Sequence, residues 1–381
     1  MINRRQFLAS TAALAAATTL PVGRAFAATK LDVFTDSDAN ISDWLSNVVK
    51  PAFEAAHPEY EVNVVIARNG GLDQVAQRAL AALNVKADPQ IDFAEQYDPN
   101  LPKGGIEAGL WVKFDASLVP NYAHVNKAAI ETPYGMPYRG SQVLLAYDST
   151  KVAADGVPKT WEALVAWIKA NPGQFIYNRP DKGGSGKNFV VRAIHEANGR
   201  DPSLFTPTNF TKEDAEKRLA PAWALLNDIA PSLYDKGSYA AGNAASLQML
   251  SNGVVSMIPI WSDMVLQGLA QGAVPETVKI VQLQDLALAG GFSASVIPTI
   301  AAHKEGALAF ADFLLTAEMQ ASVLNDLGGF PGVDWSFLPA DLREKFASVI
   351  PASIPTYPDG DWSTALNDGW YRNVAPTITR G

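Results

Sequence analysis

Three short apolar runs, LDVF (31–34), VNVVIA (62–67) and IDFA (91–94), are separated by stretches whose apolar residues return at helical spacing. Leu45, Val48, Val49, Ala52, Phe53 and Ala56 lie between the first two runs, and Leu72, Val75, Ala76, Ala79, Leu80 and Leu83 between the second and third. This rhythm predicts a parallel sheet with helical crossovers, an α/β fold. Pro51 falls inside the first helical pattern. It predicts a kink or restart there, because its ring clashes with the preceding turn and it donates no N–H.

A second run of the same kind, expected to repeat the parallel pattern, follows an extended passage, PYGMPYRGSQVLLAYD (133–148). Thr160 is placed to cap a helix containing Trp161, Leu164, Val165 and Ile168, which NPG (171–173) ends, and Thr211 with Asp214 marks another start. FIYN (175–178), VVSMIPI (254–260), VKIVQL (278–283) and SASVIPTI (293–300) read as strands alternating with helices. At 381 residues the chain exceeds what one core usually supports. Two lobes are therefore expected, joined by extended crossing segments, since no low-complexity linker separates them.

The N-terminus sets the compartment. Arg4 and Arg5 precede Phe7 and Leu8, an apolar run from Ala12 to Leu20 is too short to span a bilayer, and AFAA (25–28) offers a small-x-small cleavage pattern. Residues 1–27 read as a twin-arginine signal peptide, removed on export to the periplasm. The chain has a formal charge of −9, and losing that arginine-bearing, acid-free segment makes the mature protein more acidic still. No basic patch for nucleic acid is suggested. The absence of cysteine excludes disulfides, a thiol nucleophile and a lipid-bearing N-terminal cysteine.

PDKGGSGKNFVVRAI (180–194) has the look of a nucleotide-binding loop, but Asp181 stands where the first glycine of that motif belongs and Asn188 replaces its metal-holding hydroxyl. What is left is a glycine-rich turn opening a helix: a tight connection, or a cradle of N–H groups for an oxygen acceptor. Catalytic patterns are equally incomplete. Lys187 breaks a G-x-S-x-G elbow at Ser185, and His57, His124, His195 and His303 show no metal-ligand spacing. No metal site and no cofactor are expected. A secreted carbohydrate-active enzyme using paired carboxylates is the alternative, because such pairs have no fixed spacing to test.

TPYGMPYRGSQVLLAYDSTKVAADGVPKTWEAL (132–164), LQMLSNGVVSMIPIWSD (247–263) and AAHKEGALAFADFLLTAEMQ (301–320) resemble, in order and spacing, three landmarks of bacterial extracellular solute-binding proteins, the receptors of ABC importers. The nearest branch groups ferric-iron, thiamine and polyamine binders. The resemblance implies a two-lobe, type II-like periplasmic binding fold with a hinge and an interlobe cleft, crossed at least twice by the chain. It places lobe 1 at 28–145 plus 290–325 and lobe 2 at 146–289 plus 326–381. It further implies a monomer that closes on a small polar solute and is recognised, closed, by ABC permease subunits. That solute is a sugar, a polyol, or a thiamine-like or other organic cation or zwitterion.

By the same resemblance, Glu95 falls where iron-binding relatives use a glutamate, and Ser185, Gly186 and Lys187 fall where such relatives hold an anion. Trp261, Ser262 and Asp263 stand where iron binders carry adjacent tyrosines, so the phenolates of a ferric site are missing. Trp261 is either core or a stacking surface, and Asp263 caps a helix, contacts ligand, or does both. Glu95 is a solvated loop charge or a cleft acceptor. Asp36, in the turn FTDSDAN with Asp38, is equally open. Tyr97, Tyr138 and Arg139 reach the cleft or brace the hinge, and Phe292 completes the candidate set.

Overall fold

The computed structural model describes residues 28–380 apart from 69, 207, 347–354 and 359. The signal segment 1–27 lies outside the described residues. β1 (Thr29–Thr35) runs between β2 (Tyr60–Ile66) and β3 (Phe93–Glu95), parallel to both. Successive side chains point to opposite faces. Leu31, Val33 and Phe93 thus enter one core with Phe53, Phe310 and Leu314, while Phe34 and Ala94 enter another with Leu72, Ala76 and Trp111. A sheet covered on both faces is where parallel strands are found.

The predicted break at Pro51 takes a specific form. α1 (Ala39–Trp44) widens into a π turn, Leu45–Val49, before α2 (Lys50–Ala56) continues with Pro51 in its first two positions. Val49 and Lys50 are both right-handed helical, so the helix runs on without a free start and Pro51 withholds one N–H from it directly after the wider turn. α3 (Gly71–Val85) completes this half of the first lobe.

The extended passage is one strand, β4 (Met136–Asp148), that belongs to both lobes. Its first half pairs with β7 (Gly290–Ser295) and β8 (Phe330–Pro331), its second half with β5 (Met257–Trp261) and β6 (Val278–Val281). All four pairings are antiparallel, which corrects the expectation that the second run repeats the parallel pattern of the first. The reason is that β4 itself carries the chain into the second lobe, and its partners return against it. FIYN contributes only isolated parallel bridges, Phe175 to Met257 and Asn178 to Ala240.

Beyond the junction, Val143 and Leu145 enter a core with Phe189, Trp223 and Trp370, and Leu144 and Ala146 enter one with Ile258 and Val265. Around them pack α4 (Trp161–Ala170), α5 (Gly184–Ala197), α6 (Lys212–Ile229), α7 (Asn243–Ser251) and α8 (Ser262–Ala270). Thr160 Oγ1 accepts the Ala163 N–H at 3.2 Å and Thr211 Oγ1 that of Asp214 at 3.0 Å, as the capping signals predict.

α9 (Lys304–Leu314) and α10 (Ala317–Ser322) return to the first lobe, α11 spans Ala340–Phe346, and α12 (Asp361–Asn373) buries Trp362, Leu366 and Trp370 in the second. One stretch differs from the expected division. Leu327, Val333 and Leu338 lie in the first-lobe core, because β8 pairs with β4 at Arg139 and Gly140.

Candidate functional site

The ends of β1 and β3 and the middle of β4 converge on a fully buried carboxylate, Glu95. Its Oε1 accepts from the Tyr138 hydroxyl and from Arg139 Nη2, both at 2.8 Å. Its Oε2 accepts from Thr35 Oγ1 at 2.6 Å and Ser37 Oγ at 2.7 Å. Arg139 Nε donates to the Tyr138 oxygen at 2.8 Å, and Nη2 also reaches Gln96 Oε1 at 2.8 Å. A carboxylate withdrawn from water is tolerated only with donors on its oxygens and an opposite charge beside it. Both are supplied here. Burial works against the Arg139 charge, but Tyr138, Glu95 and Asp263 more than offset it, so its pKa is raised. Burial likewise pushes the Tyr138 hydroxyl well above the ordinary phenol range.

Two hydrogen bonds join the lobes beside this frame. Asn243 Nδ2 donates to Asp38 Oδ2 at 2.7 Å, and Asn40 Nδ2 donates to Asp263 Oδ2 at 3.1 Å. Asp263 Oδ1 accepts from Ser141 Oγ at 2.5 Å. Asp263 is buried, and burial holds its carboxyl above the usual range despite Arg139, Ser141 and Asn40. It sits in the first turn of α8, where Trp261 occupies the cap position.

The glycine-rich turn is satisfied from within. Ser185 is fully buried: its N–H donates to Asn243 Oδ1 at 3.1 Å, and its hydroxyl lies 2.7 Å from Asn178 Oδ1 and 2.8 Å from Asn243 Oδ1. A Cβ on Gly186 would stand 1.9 Å from the Asn178 carbonyl oxygen, and one on Gly184 would stand 2.6 Å from Trp261 Cζ2. Glycine is needed at both for backbone to approach so closely. Trp261, partly buried at the end of β5, therefore has the turn against one edge and the second-lobe core against another. Lys187 follows, half-buried, in the first turn of α5.

The other candidates are dispersed around this junction. Phe292 is half-buried opposite Gly140, where a Cβ would lie 2.9 Å from its ring. Asp36 is exposed at the end of β1. Although much of the residue meets solvent, the protein crowded around its carboxyl displaces water from it, and this desolvation, followed by repulsion from Asp73 and Glu95, raises it to about 6 against the opposing pull of Arg68. Tyr97 lies elsewhere than expected. It is buried in the first-lobe core, its ring edge-on to Trp111 with centroids 5.8 Å apart, and burial and a bond to Asp73 push its hydroxyl up.

The structure thus gathers Glu95, Tyr138, Arg139, Ser185, Gly186, Trp261 and Asp263 into one polar junction. It adds residues that sequence reasoning missed: Ser37, Asn40, Ser141, Asn178 and Asn243. Single hydroxyls and amides carry no periodicity, although Asn40 closes the FTDSDAN turn and Asn243 follows a glycine at a helix start. Among the described residues, no group of three or more His, Cys, Asp or Glu converges as metal ligands would.

Residues 49–347 match the family model described as bacterial extracellular solute-binding protein, and residues 1–21 match that of the twin-arginine translocation pathway signal sequence. Protein YnjB of Escherichia coli K12 is 23% identical over 349 residues, spanning 86% of this chain and 85% of its own length. A solved structure from Bordetella parapertussis, provisionally described as an extracellular solute-binding protein, superposes with a TM-score of 0.67 at 18% identity, covering 92% of this chain and 100% of that one. Iron-bound HitA from Pseudomonas aeruginosa gives 0.63 at 16%, covering 90% and 99%. At such identities the likeness to these structures is one of fold, the two-lobe fold of periplasmic binding proteins. With an export signal ahead of two lobes that meet at a polar junction, and a family match across most of its length, the chain belongs to the bacterial extracellular solute-binding proteins and is exported to the periplasm.

Proposed function

We propose that this protein is the receptor of an ABC importer, capturing a small polar solute between its lobes and delivering it to the permease subunits. The observation that carries the reading is the pair of cross-lobe hydrogen bonds, Asn243 to Asp38 and Asn40 to Asp263, set beside the Trp261 indole. Contacts of this kind exist only while the lobes are together, so they belong to a closed state that a solute would favour. In this reading Trp261 offers a flat face, Phe292 a second apolar surface, and Asp36 and Lys187 charged ends. Glu95, Tyr138 and Arg139 form the rigid frame beneath. The carboxylates of Asp36 and Asp38 at the first-lobe wall favour a solute with a positive end, such as an organic cation or zwitterion, over a sugar or polyol.

A thermal-shift screen of the mature, ligand-free protein against amines, amino acids, thiamine, sugars and polyols tests this. A true ligand at a hundredfold excess over Kd stabilises the folded form by about 2.7 kcal/mol. The expected hit is a small polar solute whose shift is lost in a folded Trp261→Ala variant, because a desolvated stacking or cation–π contact contributes about 1–2 kcal/mol. No stabilisation by any class, or turnover of an oligosaccharide, would overturn the reading.

A further inference from the structure

Asn243 is engaged on both sides of its amide, and each side belongs to a different lobe. Its Oδ1 takes the N–H and the hydroxyl of Ser185, at 3.1 Å and 2.8 Å, while its Nδ2 donates to Asp38 across the junction at 2.7 Å. The residue is buried at the first position of α7. Gly183 approaches it so closely that a Cβ there would lie 2.4 Å from Oδ1. The Ser185 N–H can only donate, so it fixes which end of the amide is oxygen. Nδ2 must then face the first lobe.

We propose that Asn243 is a positioning residue for lobe closure, and that the glycine turn at 183–186 serves as the second-lobe half of a latch rather than as a cradle for ligand. The proposal rests on the reading that the lobes part and close around a solute. The turn pins the asparagine, and the asparagine presents its donor to the Asp38 carboxylate. Opening exchanges that bond for water on both partners without disturbing the Ser185 contacts. A hydrogen bond to a charged acceptor exchanged in this way biases closed over open by roughly tenfold or more. Asn40 to Asp263 forms the neighbouring second bond. Neither depends on the identity of the solute.

The chain contains no cysteine, so Val85→Cys in the first lobe and Val254→Cys in the second, both at exposed positions, would accept spin labels uniquely. The interlobe distance is then read by pulsed electron paramagnetic resonance on ligand-free mature protein. Asn243→Asp keeps an acceptor for Ser185 but places a carboxylate against Asp38, and the distance distribution is expected to move to longer values. Asp38→Ala, which leaves the buried turn untouched, should move it the same way. Asn243→Asp combined with Asp38→Asn restores a donor–acceptor pair with its direction reversed and should bring the short distance back. An unchanged distribution in Asp38→Ala, or no recovery in the folded double variant, overturns the proposal. Because the measurement needs no solute, its failure is distinct from failure of the thermal-shift screen.

Discussion

Arg139→Met would test whether the polar frame under the junction is held by charge or merely by shape. Methionine keeps much of the length of the side chain but leaves Glu95 fully buried, with only the Tyr138, Thr35 and Ser37 hydroxyls as donors and no cation at 2.8 Å. Removing one partner of a buried ion pair typically costs about 3–5 kcal/mol, because the remaining charge stays desolvated. For a lobe of this size that corresponds to a fall in Tm of roughly 6–20 °C. The measurement is urea denaturation of the mature protein, followed by near-ultraviolet circular dichroism. Arg139→Met with Glu95→Gln removes the stranded charge as well, so the double variant should be more stable than Arg139→Met alone, with a coupling of about 0.5–3 kcal/mol. A loss below about 1 kcal/mol, the scale of an exposed pair, or a double variant no better than the single one, would refute the reasoning.

Four further outcomes are expected. Gly186→Ala should destabilise by about 1–3 kcal/mol through overpacking, since the Asn178 carbonyl oxygen stands 1.9 Å from the new Cβ, whereas Gly156→Ala, with open space around it, should be neutral in the same melts. Carboxyl-carbon NMR should titrate Asp36 near 6 and lower in Asp73→Asn; as the folded value is raised, this group makes stability fall as pH rises from near 4 to about 6, and a titration at the ordinary value would refute the crowding. His195 has the opposite sign: burial lowers its pKa to about 4, so stability falls as pH drops from about 6.5 to 4, and His195→Phe should flatten urea midpoints over that window. Arg4→Lys with Arg5→Lys should leave the protein in the cytoplasmic fraction, and efficient export of that form would refute the twin-arginine assignment.

Local signals translated well where one residue carries the physics. The Thr160 and Thr211 caps, the disturbance at Pro51 and the first three strands were all legible, because a cap, a missing N–H and a strand alternation are set within a few residues. The antiparallel pairing of β4 was not legible. Strand direction is decided by where the chain goes next, and the apolar runs at 254–260 and 278–283 read alike in either direction. At the junction, sequence named the charged and aromatic members, but not the amides between them. Asn178 and Asn243 matter through what they touch, and an isolated asparagine looks the same in a solvated loop. Tyr97 shows the converse. A tyrosine two residues beyond Glu95 would share its face if the strand ran on, yet β3 ends at Glu95, Gln96 takes a left-handed backbone (φ 55), and the Tyr97 ring packs inward against Trp111.

β4 makes the two lobes inseparable as pieces of chain. It is the strand on which β5, β6, β7 and β8 all assemble, so a fragment cut to express either lobe alone keeps the strand for itself and strips the other lobe of its centre. What is left behind is a row of open N–H and C=O groups, a template for aggregation. Small length changes in the strand would be as disruptive. One residue inserted near Ser141 would turn Val143 and Leu145 toward the core now filled by Leu144 and Ala146, and those toward the core of Val143 and Leu145. Surface loops can change length at little cost, while the stretch from Met136 to Asp148 is a fixed ruler against which both halves of the molecule are measured.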